Sequence, residues 1–192
     1  MNLLLIILIL TLNSCAQFTL IETKRTMIGD LYTVEPQIPW NEYTSGKTQT
    51  WTVDGPALNE LRFVNGIEDN EAPFEITGQE KDKSPKFKKG LTFLEIKDLI
   101  VDGFVLTGAH KLKTHRLTPI HFGEIDGFRF EFEFVTEEGL EKEGLVIGTV
   151  IKDRLFFISY IGARVHYFPK YKDHVEKIIS SIKMVNSASS SN

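Results

Sequence analysis

A single cysteine, Cys15, in a chain of 192 residues excludes an intramolecular disulfide and any zinc site built from several thiolates. A large excess of charge of one sign is lacking as well. The 22 Lys and Arg stand against 26 Asp and Glu, a formal net charge of −4, and recognition of nucleic acid, which needs a concentrated basic surface, is excluded as a general activity. No hydrophobic run reaches the roughly 20 residues that a membrane-spanning helix requires. The sequence holds no Gly-x-Ser-x-Gly elbow, no phosphate-cradling glycine loop ending in Lys-Ser/Thr, no His-Glu-x-x-His and no dinucleotide fingerprint. The five histidines, His110, His115, His121, His166 and His174, form no i, i+2 or i, i+4 pair. Neither a metal site nor a cofactor is expected, and no residue is assigned a catalytic role. Between Glu124 and Glu143 eight carboxylates accompany two basic side chains, but their spacing does not match a cation-binding loop, so a solvated hairpin end is expected.

What is present begins with an uncharged apolar run, Leu3 to Leu12, that leads to Leu12-Asn13-Ser14-Cys15. The run is too short for a permanent anchor and suits the apolar region of an export signal. The junction resembles the bacterial lipobox, with Asn13 departing from its usual small or hydroxyl residue and no Lys or Arg preceding the run. The resemblance implies a signal peptide over residues 1–14 and a cysteine, Cys15, that is acylated on sulfur, becomes the new N-terminus and holds the chain to a membrane. Ala16 is not the aspartate of an inner-membrane retention signal, so the expected address is the periplasmic face of the outer membrane. Cleavage after Ser14-Cys15-Ala16, a small-x-small pattern, is the alternative and would release a soluble periplasmic protein.

The remaining length suits one domain, expected over residues 30–185, with 15–29 as a tether and the small polar tail 186–192 disordered. Extended patterning covers Leu31-Tyr32-Thr33-Val34, then a hairpin turning at Ser45-Gly46 that places Trp40 directly opposite Trp51. Residues 68–90 read as a long surface loop. Its basic part, Lys81, Lys83, Lys86, Phe87, Lys88 and Lys89, could meet an acidic protein or an anionic envelope component, with Phe87 as an apolar plug; a plain solvated loop is the alternative. Thr92-Phe93-Leu94-Glu95 carries a capping box, and a helix is predicted over 92–102 with its end near Gly103. Phe128-Arg129-Phe130-Glu131-Phe132-Glu133-Phe134 alternates strictly, as a half-buried strand does. Reading Glu138-Gly139 and Lys152-Asp153 as two-residue turns puts Phe130, Ile147 and Ile158 in one row and Phe132, Leu145 and Tyr160 in the next. Val146, Val150, Leu155, Phe157 and Ile161 then occupy the opposite face, so both faces need a cover. Helices over 92–102 and roughly Tyr171 to Met184 would supply it.

An antiparallel sheet between helices, the strand Trp40-Asn41-Glu42-Tyr43, the run Trp51-Thr52-Val53-Asp54-Gly55, a capped central helix, a meander and a closing helix together resemble the PsbP-like α/β/α sandwich. That fold is shared by extrinsic photosystem subunits and a Ran-binding import factor. The chain is similar as well to small bacterial lipoproteins of unknown role. The resemblance implies an α+β domain acting as a binding or assembly scaffold for a protein or envelope component, with no catalytic residues to carry over. A small periplasmic hydrolase or isomerase, marked by a polar cleft holding two histidines and a carboxylate, is an alternative. A carrier of an apolar ligand, marked by an empty cavity behind the phenylalanine row, is another.

Overall fold

The computed structural model describes residues 18–76 and 82–185. Cys15, Lys81, the signal segment 1–14 and the tail 186–192 lie outside the described residues. Strands β1 (Thr19–Ile21), β2 (Thr26–Ile28), β3 (Tyr32–Val34), β4 (Trp40–Ser45), β5 (Thr48–Thr52) and β6 (Asn59–Ile67) precede helix α1 (Phe93–Leu106). Strands β7 (His110–Thr114), β8 (Thr118–Phe122), β9 (Ile125–Val135), β10 (Glu141–Ile151) and β11 (Arg154–Ala163) follow, then α2 (Tyr167–Ser180) and β12 (Lys183–Met184). The main sheet runs β1-β4-β5-β6-β11-β10-β9-β7, with β8 also on β9, and β12-β3-β2 form a second, small sheet. All pairings are antiparallel. This is an α+β fold with helices on both faces of an antiparallel sheet.

The β9–β10 register differs from expectation by one residue. Thr136 to Leu140 close the hairpin with Gly139 N donating to Thr136 O at 3.0 Å and Thr136 N donating to Leu140 O at 3.0 Å. Gly139 adopts φ +86°. The loop is therefore three residues, Glu137-Glu138-Gly139, with the glycine in the left-handed position that such loops require, and not the two-residue turn expected. Phe130 faces Val146, Phe132 faces Gly144 and Phe128 faces Gly148. The glycines are the steric partners of the rings: a Cβ at Gly144 would lie 2.4 Å from Phe132 Cζ, and one at Gly148 2.5 Å from Phe128 Cζ. The Lys152-Asp153 turn is the expected one, both residues having positive φ, and Ile147↔Ile158 and Leu145↔Tyr160 pair as predicted. Those four residues lie on the far side of the sheet from the phenylalanines, because an odd slip exchanges the faces of a strand.

Two cores result. Phe128, Phe130, Phe132, Val146, Leu155, Phe157 and Ile161 pack with Ile96, Leu99, Ile100 and Phe104 of α1. Leu145, Ile147, Phe156, Ile158 and Tyr160 pack with Trp40, Trp51 and the α2 residues Phe168, Tyr171, Val175 and Ile178. The small sheet adds Ile28, Tyr32 and Val34 to the second core. Thus the segment 15–29, read as a tether, carries strands from Thr19 onward, and Ile28 is fully buried.

The first hairpin turns at Gly46-Lys47, Ser45 pairing with Thr48, so Glu42 lies opposite Trp51. That slip is even, and Trp40 and Trp51 stay on one face as a diagonal pair with ring centroids 6.5 Å apart. Helix α1 has the predicted capping box, Thr92 Oγ1 accepting from Glu95 N at 3.3 Å and Thr92 N donating to Glu95 Oε2 at 2.8 Å. It continues through Gly103 to Leu106. Gly103 serves packing: a Cβ there would come within 2.2 Å of the Phe74 ring. Helix α2 starts and ends about one turn earlier than expected. Pro169 sits in its first turn, where no intrahelical amide bond is lost, and Ile182 leads into β12.

Residues 68–90 are tied down as far as they are described. Phe87 is fully buried, its amide donating to Glu71 O at 2.8 Å and its carbonyl accepting from Asn70 N at 2.7 Å. Phe74 packs on Phe104 and Phe157. The plug role expected for Phe87 is overturned: the ring anchors the loop in the α1-side core and is presented to no partner.

Phe130→Ala should lower the free energy of unfolding by about 3–5 kcal/mol, as deletion of a buried aromatic does, while Glu131→Ala costs well under half as much. Urea unfolding of the two variants checks this.

Candidate functional site

The α1 face of the main sheet is covered over only part of its width. Helix α1 lies over β7 and β9, its Phe104 ring stacking on Phe132 at 4.9 Å and Phe93 resting on Phe128 at 5.2 Å. Phe74 extends this cover to Phe157 on β11. Beyond that ring, toward β6, β5 and β4, the same face turns polar. Pairing registers align Tyr43, Thr50, Arg62 and Ser159 in one row across β4, β5, β6 and β11, between apolar neighbours such as Val64, Phe157 and Ile161. Two adjoining cavities follow this polar ground. One, of about 340 Å³, is bounded by Tyr43, Thr48, Thr50, Arg62, Phe74 and Ser159. The other, of about 320 Å³, is bounded by Glu60, Arg62, Thr107, Glu138, Lys142 and Ile161. Arg62 and Thr107 belong to both, so together they form a groove past the C-terminal end of α1.

The charged groups of the groove are held in place. Glu60, 6% exposed, accepts from Arg62 Nη2 at 2.9 Å. Burial pushes the Lys142 ammonium below its ordinary pKa, with Glu60 and Glu138 drawing it partly back. At the far end Ser45 Oγ donates to the Glu75 carboxylate at 3.1 Å. Ser159 is 1% exposed and its Oγ has no hydrogen-bond partner among the described residues. A buried hydroxyl without a partner costs on the order of 1–3 kcal/mol, so it is not there for stability.

Other polar clusters are structural. Arg129 lies on the α2 side of β9 and makes a bidentate contact with Glu176, at 2.9 and 2.7 Å, and another with Glu131 at 2.8 Å. Glu176 foremost, against the opposing effect of burial, keeps the guanidinium protonated. Burial opposes ionisation of Glu131, yet Arg129 and Lys172 hold its carboxyl below the usual range. The Trp51-Thr52-Val53-Asp54-Gly55 run closes the β5–β6 connection. Fully buried Asn59 accepts from Val53 N at 3.0 Å and donates to Asp54 Oδ2 at 3.2 Å, while Tyr171 OH donates to the same oxygen at 2.5 Å. The histidines do not converge. His121 Nδ1 lies 3.4 Å from Asp126 on an exposed strand pair, and His166 contacts Tyr167 edge-on. Among the described residues no three His, Cys, Asp or Glu side chains gather as a metal site. No helix among them is long and apolar enough to cross a membrane.

Of the lysine loop, Lys83, Lys86, Lys88 and Lys89 are exposed and lie outside the groove. The groove residues Tyr43, Thr50, Arg62 and Ser159 were not singled out from sequence. The available signal was Ser159, a small hydroxyl between Phe157 and Ile161 on one face of a strand that from Leu155 onward is apolar apart from Ser159 and Tyr160.

No protein-family model and no curated protein sequence matches the chain. Solved structures do. A protein of Bacteroides thetaiotaomicron VPI-5482 superposes with a TM-score of 0.51 at 14% identity over 87% of this chain and 50% of the other, so this chain spans half the length of that protein. Cyanobacterial PsbP from Synechocystis sp. PCC 6803 gives 0.52 at 13% identity, covering 91% of this chain and 99% of that one. The Saccharomyces cerevisiae Ran-binding protein Mog1p, at 0.46 and 9% identity over 89% and 97%, is too distant to argue from. At these identities the likeness is one of fold, and the fold is PsbP-like.

The Asp54 cluster makes a pH test. The hydrogen bond from Tyr171 is the main cause that holds the Asp54 carboxyl below its ordinary value. A carboxyl with a lowered folded-state pKa stabilises the fold above its unfolded value near 4, and that contribution is lost as pH falls through the lower folded value. Asp54→Asn should therefore be less stable than the parent at pH 7, with the gap closing as pH falls below the ordinary carboxylate value near 4. Denaturant midpoints across that range check it.

Proposed function

We propose that this chain is a non-catalytic cell-envelope lipoprotein that binds an envelope component, a protein or a wall polymer, through the groove beside α1. The observation that carries the reading is the half-bare sheet face: a packed fold leaves polar ground open where a further covering element would fit, and puts a buried, unpartnered Ser159 on its floor. The alternatives find less support. The histidines do not line the groove, against the hydrolase or isomerase, and the phenylalanine row is packed against α1, with Phe128, Phe130 and Phe132 at most 1% exposed, against the apolar carrier. A photoreactive phenylalanine analogue at Thr48 should crosslink an envelope component in intact cells, and the same analogue at Lys177 on α2 should not. Equal labelling from both sites sinks the reading.

The address in this proposal is the periplasmic face of the outer membrane, with the lipid on Cys15 and Ala16 following it. Cys15→Ser should give an exported protein that no longer partitions into detergent with membranes. A parent protein that is already soluble with Gln17 as its first residue would refute the anchor.

A second contact is proposed for the lysine loop, because Lys86, Lys88 and Lys89 stand exposed around the buried anchor Phe87. An electrostatic contact to an anionic surface or acidic protein should fade as the screening length falls from about 10 Å at 0.1 M salt to about 3 Å at 1 M. Reversing the three charges should abolish co-sedimentation with anionic vesicles at low salt and leave thermal stability nearly unchanged. Binding indifferent to salt and to charge reversal would refute the contact.

A further inference from the structure

We infer that the groove is a saccharide site: the row Tyr43–Thr50–Arg62–Ser159, set among apolar patches, fits a neutral, polyhydroxylated chain of more than one sugar ring. The inference rests on reading the groove as the binding site and names the ligand class for it.

Hydrogen-bonding capacity is the first argument. The cavity above Ser159 is bounded by six hydroxyl side chains, of which Ser45 and Thr107 already bond to Glu75 and to the α1 backbone. The other four, Tyr43, Thr48, Thr50 and Ser159, make no side-chain hydrogen bond to another described residue, and Ser159 and Thr50 are 1% and 3% exposed. A hydroxyl donates once and accepts twice, so four of them in one wall match groups that also do both. Sugar hydroxyls have that character; a carboxylate or phosphate only accepts.

Charge is the second. The Arg62 guanidinium is already matched by Glu60, and the nearby Lys142 lies in the field of Glu60 and Glu138. Glu75 closes the other end. The two cavities carry two basic side chains, Arg62 and Lys142, against four carboxylates, Glu60, Glu75, Glu137 and Glu138, so the wall offers an anion no positive surplus, whereas the Arg62–Glu60 pair still presents donors on one side and acceptors on the other to a neutral ligand.

Shape and apolar surface are the third. Val64, Phe74 and Phe157 interrupt the hydroxyls, and the Tyr43 ring stands at the outer wall with Phe18 edge-on at 5.6 Å. Sugar rings combine apolar faces with hydroxylated edges, and a wall of alternating aromatic and hydroxyl groups answers both. The two cavities meet at Arg62, and each is near the lower end of the roughly 300–1,000 Å³ typical of ligand sites, so the groove is elongated and takes successive units.

The test uses three neutral tetrasaccharides, tetraacetylchitotetraose, cellotetraose and maltotetraose, beside anionic tetragalacturonate, in calorimetric titrations of the purified chain. At least one neutral tetrasaccharide should bind more tightly than tetragalacturonate. The double variant Thr50→Val with Ser159→Ala should weaken that binding at least tenfold, and so should Tyr43→Ala. Ser159→Ala alone should leave the melting temperature equal or higher, since it removes an unsatisfied buried hydroxyl, which separates lost binding from lost folding. Preference for tetragalacturonate, binding untouched by these substitutions, or no binding to any of the three neutral probes overturns the saccharide assignment. If the Thr48 crosslink to an envelope component persists in that case, the groove remains a binding site for a different class; if the crosslink fails too, both readings fall.

Discussion

Parity along one hairpin governs the interior. The three-residue loop Glu137-Glu138-Gly139 brings Phe128, Phe130 and Phe132 to the side of the sheet where Gly148, Val146 and Gly144 lie, and there the rings settle over the glycines. Side chains on a strand alternate with a period of two, so one residue fewer in that loop would turn the phenylalanines toward α2 and carry Arg129 and Glu131 into the α1-side core. Everything above the sheet follows from that choice. Helix α1 can stack Phe104 on Phe132 because the row faces it, and Gly103 lets Phe74 in beside them. On the other side, Arg129 and Glu131 emerge where Glu176 and Lys172 of α2 meet them.

The groove is a by-product of how far that cover reaches. Fourteen residues of α1 and the anchored part of the 68–90 segment span β7 to β11, and the sheet continues through β6, β5 and β4. A polar surface there is compatible with water, but deeply buried Thr50, Glu60 and Ser159 are more than a wet surface needs. The unpartnered Ser159 hydroxyl is why the proposed binding reading centres on the groove, with the exposed lysine loop as a second contact.

The closing helix is fixed at both ends by polar contacts that leave little freedom in its placement. Tyr160 OH donates to the carbonyls of Tyr167 and Phe168 at 2.8 and 3.1 Å at its start, and Ser181 Oγ accepts from Glu35 N at 2.7 Å past its end. Between them the Asp54–Tyr171 bond and the Arg129–Glu176 pair join the helix to distant strands. These contacts spend the side chains of Asp54, Arg129, Tyr160, Tyr171 and Glu176 on holding α2.

The sequence by itself determined the strand alternation from Phe128 to Phe134, the capping box at Thr92, the Lys152-Asp153 turn and the need for a covering layer on each face. Each of these depends on residues close in the chain or on a period that can be counted. It misplaced the Gly139 turn, because Glu-Gly suits two- and three-residue loops alike, and the choice is made by what the opposing strand offers the rings. It ended α1 at Gly103 because a glycine in a helix reads as a stop until a ring from elsewhere occupies the space of its missing Cβ. Phe87 looked available for the same reason: a lone aromatic among lysines has no local mark of burial. The groove was invisible altogether, since Tyr43, Thr50, Arg62 and Ser159 come from four strands and become neighbours only through cross-strand registers that tertiary packing decides.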